Sequence, residues 1–410
     1  MAWGPRCIIL RMPVITVDKS KYTSQHFKQP VVTPIKAQWD ITFACNFRCS
    51  FCLTSSGKRT PDELSTDESF ALIDKLHDAG VLFLTVMGGE LFSRKDIIPI
   101  LSYAIKKGML LSFSTNASLI DEKIVDFLQA SRSAFQYIQV SLYGDDERTY
   151  ERITGSAKNF CRALKGLSLL SDRQLKVSVL IVVTKGNATR IPAYYEVAKQ
   201  YPIESFRIVP KVPLGRASND GVYEHRGAPA IWVPMIHTLR KLRETVKEDD
   251  PPIGVQARSF FGEYLQKLIG FETFSQKCTA ATIQIYVDPC GRAAPCPFMQ
   301  SAPGYLKEKY SHIQMENLRD KPFEEVWNSE SFETFRKFYN PEHNLYEINT
   351  KCKYFRNRTC IPCVLTPCYC RYLIKAVKKV LEKEGEIPAI ETQNRHSHEW
   401  RYFKGFTKNN

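Results

Sequence analysis

From Gln38 to Arg216, short β-branched apolar runs alternate with longer amphipathic segments. The runs are Trp39–Phe43, Val81–Met87, Met109–Ser114, Tyr137–Leu142, Val177–Val183 and Ser205–Val209. Between them Thr66–Ala79, Lys95–Lys107, Asp121–Ala130, Lys158–Ser171 and Ile191–Lys199 carry helical patterns. Strands that alternate with helices form βαβ units and a parallel sheet. Six such units are too few to close an eightfold barrel. The pattern predicts an α/β fold over residues 38–216, an open partial (β/α)6 barrel.

The rest of the chain reads differently. Residues 1–37 form an N-terminal extension, and residues 217–272 a helical bridge. In that bridge the helices Trp232–Lys247 and Ser259–Ile269 are split by Glu248-Asp-Asp-Pro-Pro252. Cysteines crowd residues 273–372, and residues 373–410 read as a helix followed by a polar, aperiodic tail of disordered composition. No apolar run approaches the roughly 18 residues of a membrane helix, and the stretch Met1–Leu10 is too brief for a signal-peptide core. Thirteen cysteines without a secretory signal point to a reducing cytoplasm and to metal ligation rather than disulfides. The net charge of +14 suits RNA, an acidic peptide or an anionic cofactor, but it also fits solvated helix faces such as Lys375–Lys379.

Candidate chemistry begins in the loop after the first strand, where Cys45, Cys49 and Cys52 stand in C-N-F-R-C-S-F-C. That loop lies where parallel α/β folds gather their chemistry, at the carboxyl end of a strand. A cubic iron–sulfur cluster takes four thiolates. Three protein ligands leave one iron open to a small molecule, whereas a structural zinc site wants a closed shell of four. Glycines follow the second strand in Met87-Gly88-Gly89-Glu90, letting the backbone approach a ligand closely.

The CxxxCxxC spacing with Phe51 before its last cysteine resembles the signature of the radical S-adenosylmethionine (radical SAM) superfamily. The resemblance implies that SAM chelates the open iron and is cleaved to a 5′-deoxyadenosyl radical. It implies further that Gly88, Gly89 and Glu90 match the motif holding the methionine amino group. Asn116, after the third strand, matches a ribose or carboxylate contact, with a helix N-cap as the alternative. Ser141 of Ser141-Leu-Tyr-Gly144 matches a ribose contact, and Arg152 a partner of the SAM carboxylate. A surface ion pair of Arg152 with Asp146 or Glu151 is the alternative. Thr184, Asn187 and Val209 are weaker matches for adenine contacts.

Towards the other end, Cys278, twelve residues, Gly291, four residues and Cys296 resemble the opening of the SPASM domain, the auxiliary-cluster extension of peptide-modifying radical SAM enzymes. Cys360-x2-Cys363-x4-Cys368-x-Cys370 resembles its second half, with shorter later gaps and no final cysteine. Following the family, Cys278, Cys296 and Cys370 are expected at a first auxiliary cluster, with Cys290 as candidate fourth ligand. Cys360, Cys363 and Cys368 are expected at a second, with Cys352 as substitute. A single cluster, or a zinc knuckle on Cys360 and Cys363, is the alternative. The resemblance implies a maturase or oxidoreductase that modifies a peptide or protein by oxidative crosslinking or dehydrogenation. Its cofactors would be SAM and 4Fe–4S clusters, its electron donor a flavodoxin or ferredoxin, with a separate leader-recognition protein as a possible partner. Pro297 stands where sulfatase-maturing relatives place an aspartate base, which argues against formylglycine formation. Tailoring of a tetrapyrrole or redox cofactor, and a non-catalytic electron carrier, are the rival readings; nucleic acid is disfavoured by the absence of a recognisable RNA-binding module. No acid or base is identified, and Tyr143, Tyr286 and Arg216 are candidates to face the cavity.

Overall fold

The computed structural model describes residues 33–212, 214–217, 229–257, 259–274, 278–299, 314–340, 351–352, 356 and 370–385. The N-terminal extension, save its last residues, and the tail from residue 386 lie outside them. Strands β1 (Lys36–Asp40), β2 (Phe83–Met87), β3 (Leu110–Thr115), β4 (Phe135–Ser141), β5 (Val177–Val183) and β6 (Ser205–Pro210) lie side by side, all parallel. Helices α1 (Thr66–Asp78), α2 (Ile97–Lys106), α3 (Glu122–Ala130), α4 (Glu147–Thr154), α5 (Asn159–Asp172) and α6 (Ile191–Ala198) connect them. The expected α/β barrel architecture is present.

Local chemistry sets these boundaries. Ser65 and Glu68 form a capping box that starts α1, whose Leu72, Ile73 and Leu76 are buried. Asp121 caps α3 and Asp146 caps α4, each accepting a backbone N–H three residues on. Gly155, at φ +87°, ends α4 in the left-handed conformation.

The sheet has two faces, and only one is covered by helices. Phe206 meets Tyr195 of α6 at 5.3 Å, and Phe135 meets Phe127 of α3 at 6.2 Å. Opposite positions such as Thr85, Gln139, Ser141 and Arg207 are half-buried on the inner face. A bulge helps set this pattern. Leu111 pairs with Phe135 but Ser112 pairs with Tyr137, so one extra residue turns Tyr137, Gln139 and Ser141 inward.

Between residues 217 and 272 the structure departs from a purely helical bridge. Helices α7 (Pro229–Arg243) and α8 (Ser259–Ile269) alternate with strands β7 (Ile253–Gln256) and β8 (Glu272–Phe274). Both strands extend the parallel sheet beyond β6. At four and three residues they are too short to show a period. At the other edge β9 (Gln284–Val287) pairs parallel with β1, followed by antiparallel β10 (Arg292–Ala294) and β11 (Glu316–Asn317). Among the described residues one eleven-stranded sheet thus runs β11-β10-β9-β1-β2-β3-β4-β5-β6-β7-β8. The helix Cys370–Lys383 packs on α7 and α8, burying Val377 and Leu381. Among the described residues no helix is long and apolar enough to cross a membrane.

Candidate functional site

The loop after β1 is fixed almost wholly by backbone. Cys45 N–H donates to Gly57 O and Gly57 N–H returns a bond to Phe43 O, at 3.0 and 2.9 Å. Arg48 and Ser50 donate to Thr154 O and Ile153 O at the end of α4, both at 3.1 Å. From beyond β6, Arg216 spans the loop: its N–H reaches Cys52 O, and its guanidinium reaches Cys49 O at 2.7 Å and Ser56 O at 2.8 Å. Gly215, at φ +59°, permits that approach, since a Cβ there would lie 2.2 Å from Leu53 O. Arg216 is therefore a clamp on the cysteine loop.

Two buried charges brace the same loop. Glu63 accepts from Thr42 Oγ1 and Phe43 N, both at 2.8 Å. Arg94 donates to Ile41 O, Leu64 O and Ser69 Oγ, and pairs with Asp96. Sequence reasoning singled out neither; the one available signal is that a buried charge must find partners.

Burial pushes the Cys45 thiol up to about 11 and the Cys49 thiol up to about 12. Thiolates here need a positive partner, which ligated iron supplies. Among the described residues no three His, Cys, Asp or Glu side chains converge closely enough to hold a single metal ion. A cubane needs no such convergence, because each of its irons takes its own thiolate. Three thiols on one short, rigid loop fit that donor set.

The glycines after β2 pack beneath this loop. A Cβ on Gly88 would lie 2.5 Å from Thr42 O, and one on Gly89 2.1 Å from Ala44 O. Gly89 N and Glu90 N donate to those same two carbonyls at 2.8 Å. The Glu90 carboxylate turns inward, accepting from Asn116 N at 2.7 Å, Thr115 Oγ1 at 2.8 Å and Phe92 N at 3.3 Å. Its burial pushes its pKa up to about 7. Of the three residues, then, Gly88 and Gly89 keep some exposure while Glu90 organises the turn behind them.

Asn116 does not cap a helix, since Asp121 caps α3. Its Nδ2 donates to Asn46 Oδ1 at 3.0 Å and its Oδ1 accepts from Ser118, joining the end of β3 to the cysteine loop. Ser141 ends β4 on the inner face. Tyr143, half-buried near Cys49, contacts Phe47 and Phe51 at 5.9 and 6.0 Å, and burial raises its phenol well above the ordinary range. Arg152 is exposed on α4, and Arg190, not Arg152, pairs with Asp145 and Asp146. Asn187 accepts from Thr184 N and Oγ1, closing the turn after β5.

The β9–β10 hairpin separates its cysteines. Its register pairs Val287 with Ala293 and Tyr286 with Ala294, leaving Cys278 and Cys296 beyond one end and Cys290 in the turn at the other. Cys290 faces Thr60 Oγ1 at 3.7 Å, away from the pair it was expected to join. Within the turn Asp288 accepts from Cys290 N and Arg292 N. At the opposite end the Tyr339 hydroxyl lies 3.1 Å from Cys278 Sγ. Tyr286 donates to Asp40 across the β1–β9 junction at 2.7 Å. Cys352 is half-buried, whereas Cys360, Cys363, Cys368 and the side chain of Cys370 lie outside the described residues.

Comparison with known proteins adds five findings. The family profile described as the Radical SAM superfamily matches residues 39–189, and that of the iron–sulfur cluster-binding SPASM domain matches residues 278–364. An AdoMet-dependent heme synthase of Methanosarcina barkeri is 28% identical over 324 residues, covering 77% of this chain and 86% of that relative. The mycofactocin maturase MftC of Mycobacterium tuberculosis is 29% identical over 321 residues, covering 78% of this chain and 76% of that relative. Streptococcus suis SuiB bound to S-adenosylmethionine has a similar fold, with a TM-score of 0.62 at 16% identity over 83% of this chain and 74% of that one.

Proposed function

This chain belongs to the radical SAM superfamily and carries a SPASM domain, and from that premise we propose that it is an enzyme that oxidatively modifies a peptide. Cys45, Cys49 and Cys52 would hold the SAM-binding 4Fe–4S cluster. SAM bound there would supply the means of abstracting a hydrogen atom from the substrate. Gly88 and Gly89, which keep some exposure, would receive the methionine end of SAM, and Asn116 and Ser141 stand at strand ends suited to its ribose. Arg152 makes no ion pair among the described residues and is available for the carboxylate.

The observation that carries the reading is the pairing of β9 with β1, which hydrogen-bonds the SPASM hairpin into the barrel sheet itself. Cys278 and Cys296, with Cys370, would ligate one auxiliary cluster; Cys352, Cys360, Cys363 and Cys368 would ligate a second. Loss of a hydrogen atom followed by loss of one more electron and a proton would give a crosslink or a double bond, and that electron needs an acceptor near the substrate. The likeness to mycofactocin maturases supports a peptide substrate. A second reading, tailoring of a tetrapyrrole, is supported by the match to a heme synthase over 86% of its length.

The two are separated by incubating anaerobically reconstituted enzyme, SAM and reductant with a precursor peptide encoded beside its gene, or with a porphyrin. Loss of two hydrogens from the peptide, with side-chain deuterium appearing in 5′-deoxyadenosine, supports the first reading. Deuterium transfer from the porphyrin alone replaces it with the second.

A further inference from the structure

Arg207 is a cation on the inner face of the barrel that meets no anion among the described residues. It is the third residue of β6, whose neighbouring Phe206 and Ile208 are fully buried on the helix-covered side. Side chains alternate along a strand, so Arg207 points inward with Ser205 and Val209. It is half-buried there. Among the described residues it forms no ion pair and no side-chain hydrogen bond. Glu272 shares the inner face two strands away and does not pair with it.

What Arg207 does touch is an aromatic ring. Its guanidinium carbon lies 4.4 Å from the centroid of Phe274 on β8. The register shows how it arrives: Arg207 stands opposite Gly254 on β7, and Phe274 opposite Gln256 on the same strand. Gly254 offers no side chain to obstruct the crossing, and a Cβ there would come within 3.2 Å of the Phe274 ring. A guanidinium lying on a ring face is held in place while its N–H edge stays free to donate a bidentate pair of hydrogen bonds. Such a fork matches a carboxylate.

Its place in the sheet points the same way. Ser141, Leu180 and Arg207 are consecutive cross-strand partners on β4, β5 and β6. Arg207 therefore lies two strand spacings, about 10 Å, from the strand end proposed to contact SAM. A substrate anchored on Arg207 would present its neighbouring atoms towards that end.

We propose that Arg207, braced on Phe274 across Gly254, is the docking point for a carboxylate group of the substrate. The inference rests on the reading above that the chain is a radical SAM enzyme, and it adds that the substrate is taken onto the inner face of the barrel. It does not depend on whether that substrate is a peptide or a tetrapyrrole, since both can carry the group.

The test uses reconstituted holoenzyme and two probe pairs: a peptide with a free carboxyl terminus against its amide, and coproporphyrin III against its tetramethyl ester. In wild type the free acid of at least one pair should bind about tenfold or more tightly than its neutral form. Arg207→Gln should abolish that preference and Arg207→Lys should retain part of it, which also controls for loss of folding. The pair that shows the preference identifies the source of the carboxylate. SAM cleavage without substrate should be unchanged in both variants. If it falls together with SAM affinity, Arg207 serves the SAM carboxylate and the proposal is overturned. Equal affinity of acid and neutral forms in wild type, or a preference that survives in Arg207→Gln, overturns it as well. Wild-type protein that cleaves no SAM would instead count against the radical reading, leaving the binding comparison to stand by itself.

Discussion

The loop bearing Cys45, Cys49 and Cys52 and the hairpin bearing Cys278, Cys290 and Cys296 reach the same kind of chemistry by opposite routes. Three other segments hold the loop from outside: Gly57, the end of α4 and Arg216 all bond to its backbone. Its backbone is braced by groups that are not themselves candidate ligands. The hairpin places only two thiols together, and the remaining candidates come from residues 352–370, far along the chain. A site whose ligands are gathered from distant segments makes the metal part of the folding energy, whereas a prebuilt loop does not.

The sharpest way to break this contrast is to remove one thiol from each region. Cys49→Ala should abolish SAM cleavage and lower iron content by about four per chain, on four irons per cubane. Cys278→Ala should leave substrate-free SAM cleavage intact while iron falls. Cleavage that survives in Cys49→Ala, measured as 5′-deoxyadenosine, would end the assignment of the loop.

Next in size is Gly215→Ala. Its new Cβ would meet Leu53 O at 2.2 Å and Cys52 O at 2.3 Å, both backbone atoms that cannot yield locally. We expect a loss of about 3 kcal/mol in denaturant unfolding, with iron lost from the loop and retained by the hairpin. Equal loss from both regions would mean that the loop is not independently built.

The junction of the two regions carries a pH signature. Burial pushes Asp40 up from 3.8 to about 6, opposed by the Tyr286 hydroxyl. The folded chain keeps this proton where the unfolded chain releases it. The contribution is thus fully present below the ordinary carboxylate value and lost as pH rises through about 6. The difference amounts to about 3 kcal/mol. Asp40→Asn, which keeps an acceptor for Tyr286, should flatten unfolding free energy against pH across that window and stabilise the protein above it. An unchanged slope would show that Asp40 is ionised in the fold.

The smallest expected effect is that of Cys290→Ser. With its thiol facing Thr60 at the far end of the hairpin, it should leave iron content and the cluster spectrum unchanged. Loss of about four irons would restore Cys290 as a ligand.

Much of the barrel was legible because its elements are long and periodic. Val177–Val183 and Ser259–Ile269 run between the residues the pattern marked. The first strand lies three residues earlier than expected, at Lys36–Asp40, because Ile41, Thr42 and Phe43 leave the sheet to reach Glu63 and the glycines after β2. That shift depends on contacts made across the sheet, which local periodicity does not encode. β7 and β8 escaped notice for their brevity. At the site, spacing marked the thiols and the glycine pair. It could not reveal that Arg216 clamps the loop or that Glu90 faces inward, since both depend on which distant backbone lies within reach.

The position of β9 also bears on how the chain is made. β1 has β2 on one side, and among the described residues its other edge is covered by a strand that begins at Gln284, more than two hundred residues later. At about 5–20 residues per second, a ribosome needs tens of seconds to deliver that strand. Until then a nascent barrel shows an open row of N–H and C=O groups along Lys36–Trp39, the kind of edge that recruits a neighbouring chain. Lys36, exposed at the start of β1, puts a charge on that edge while it waits.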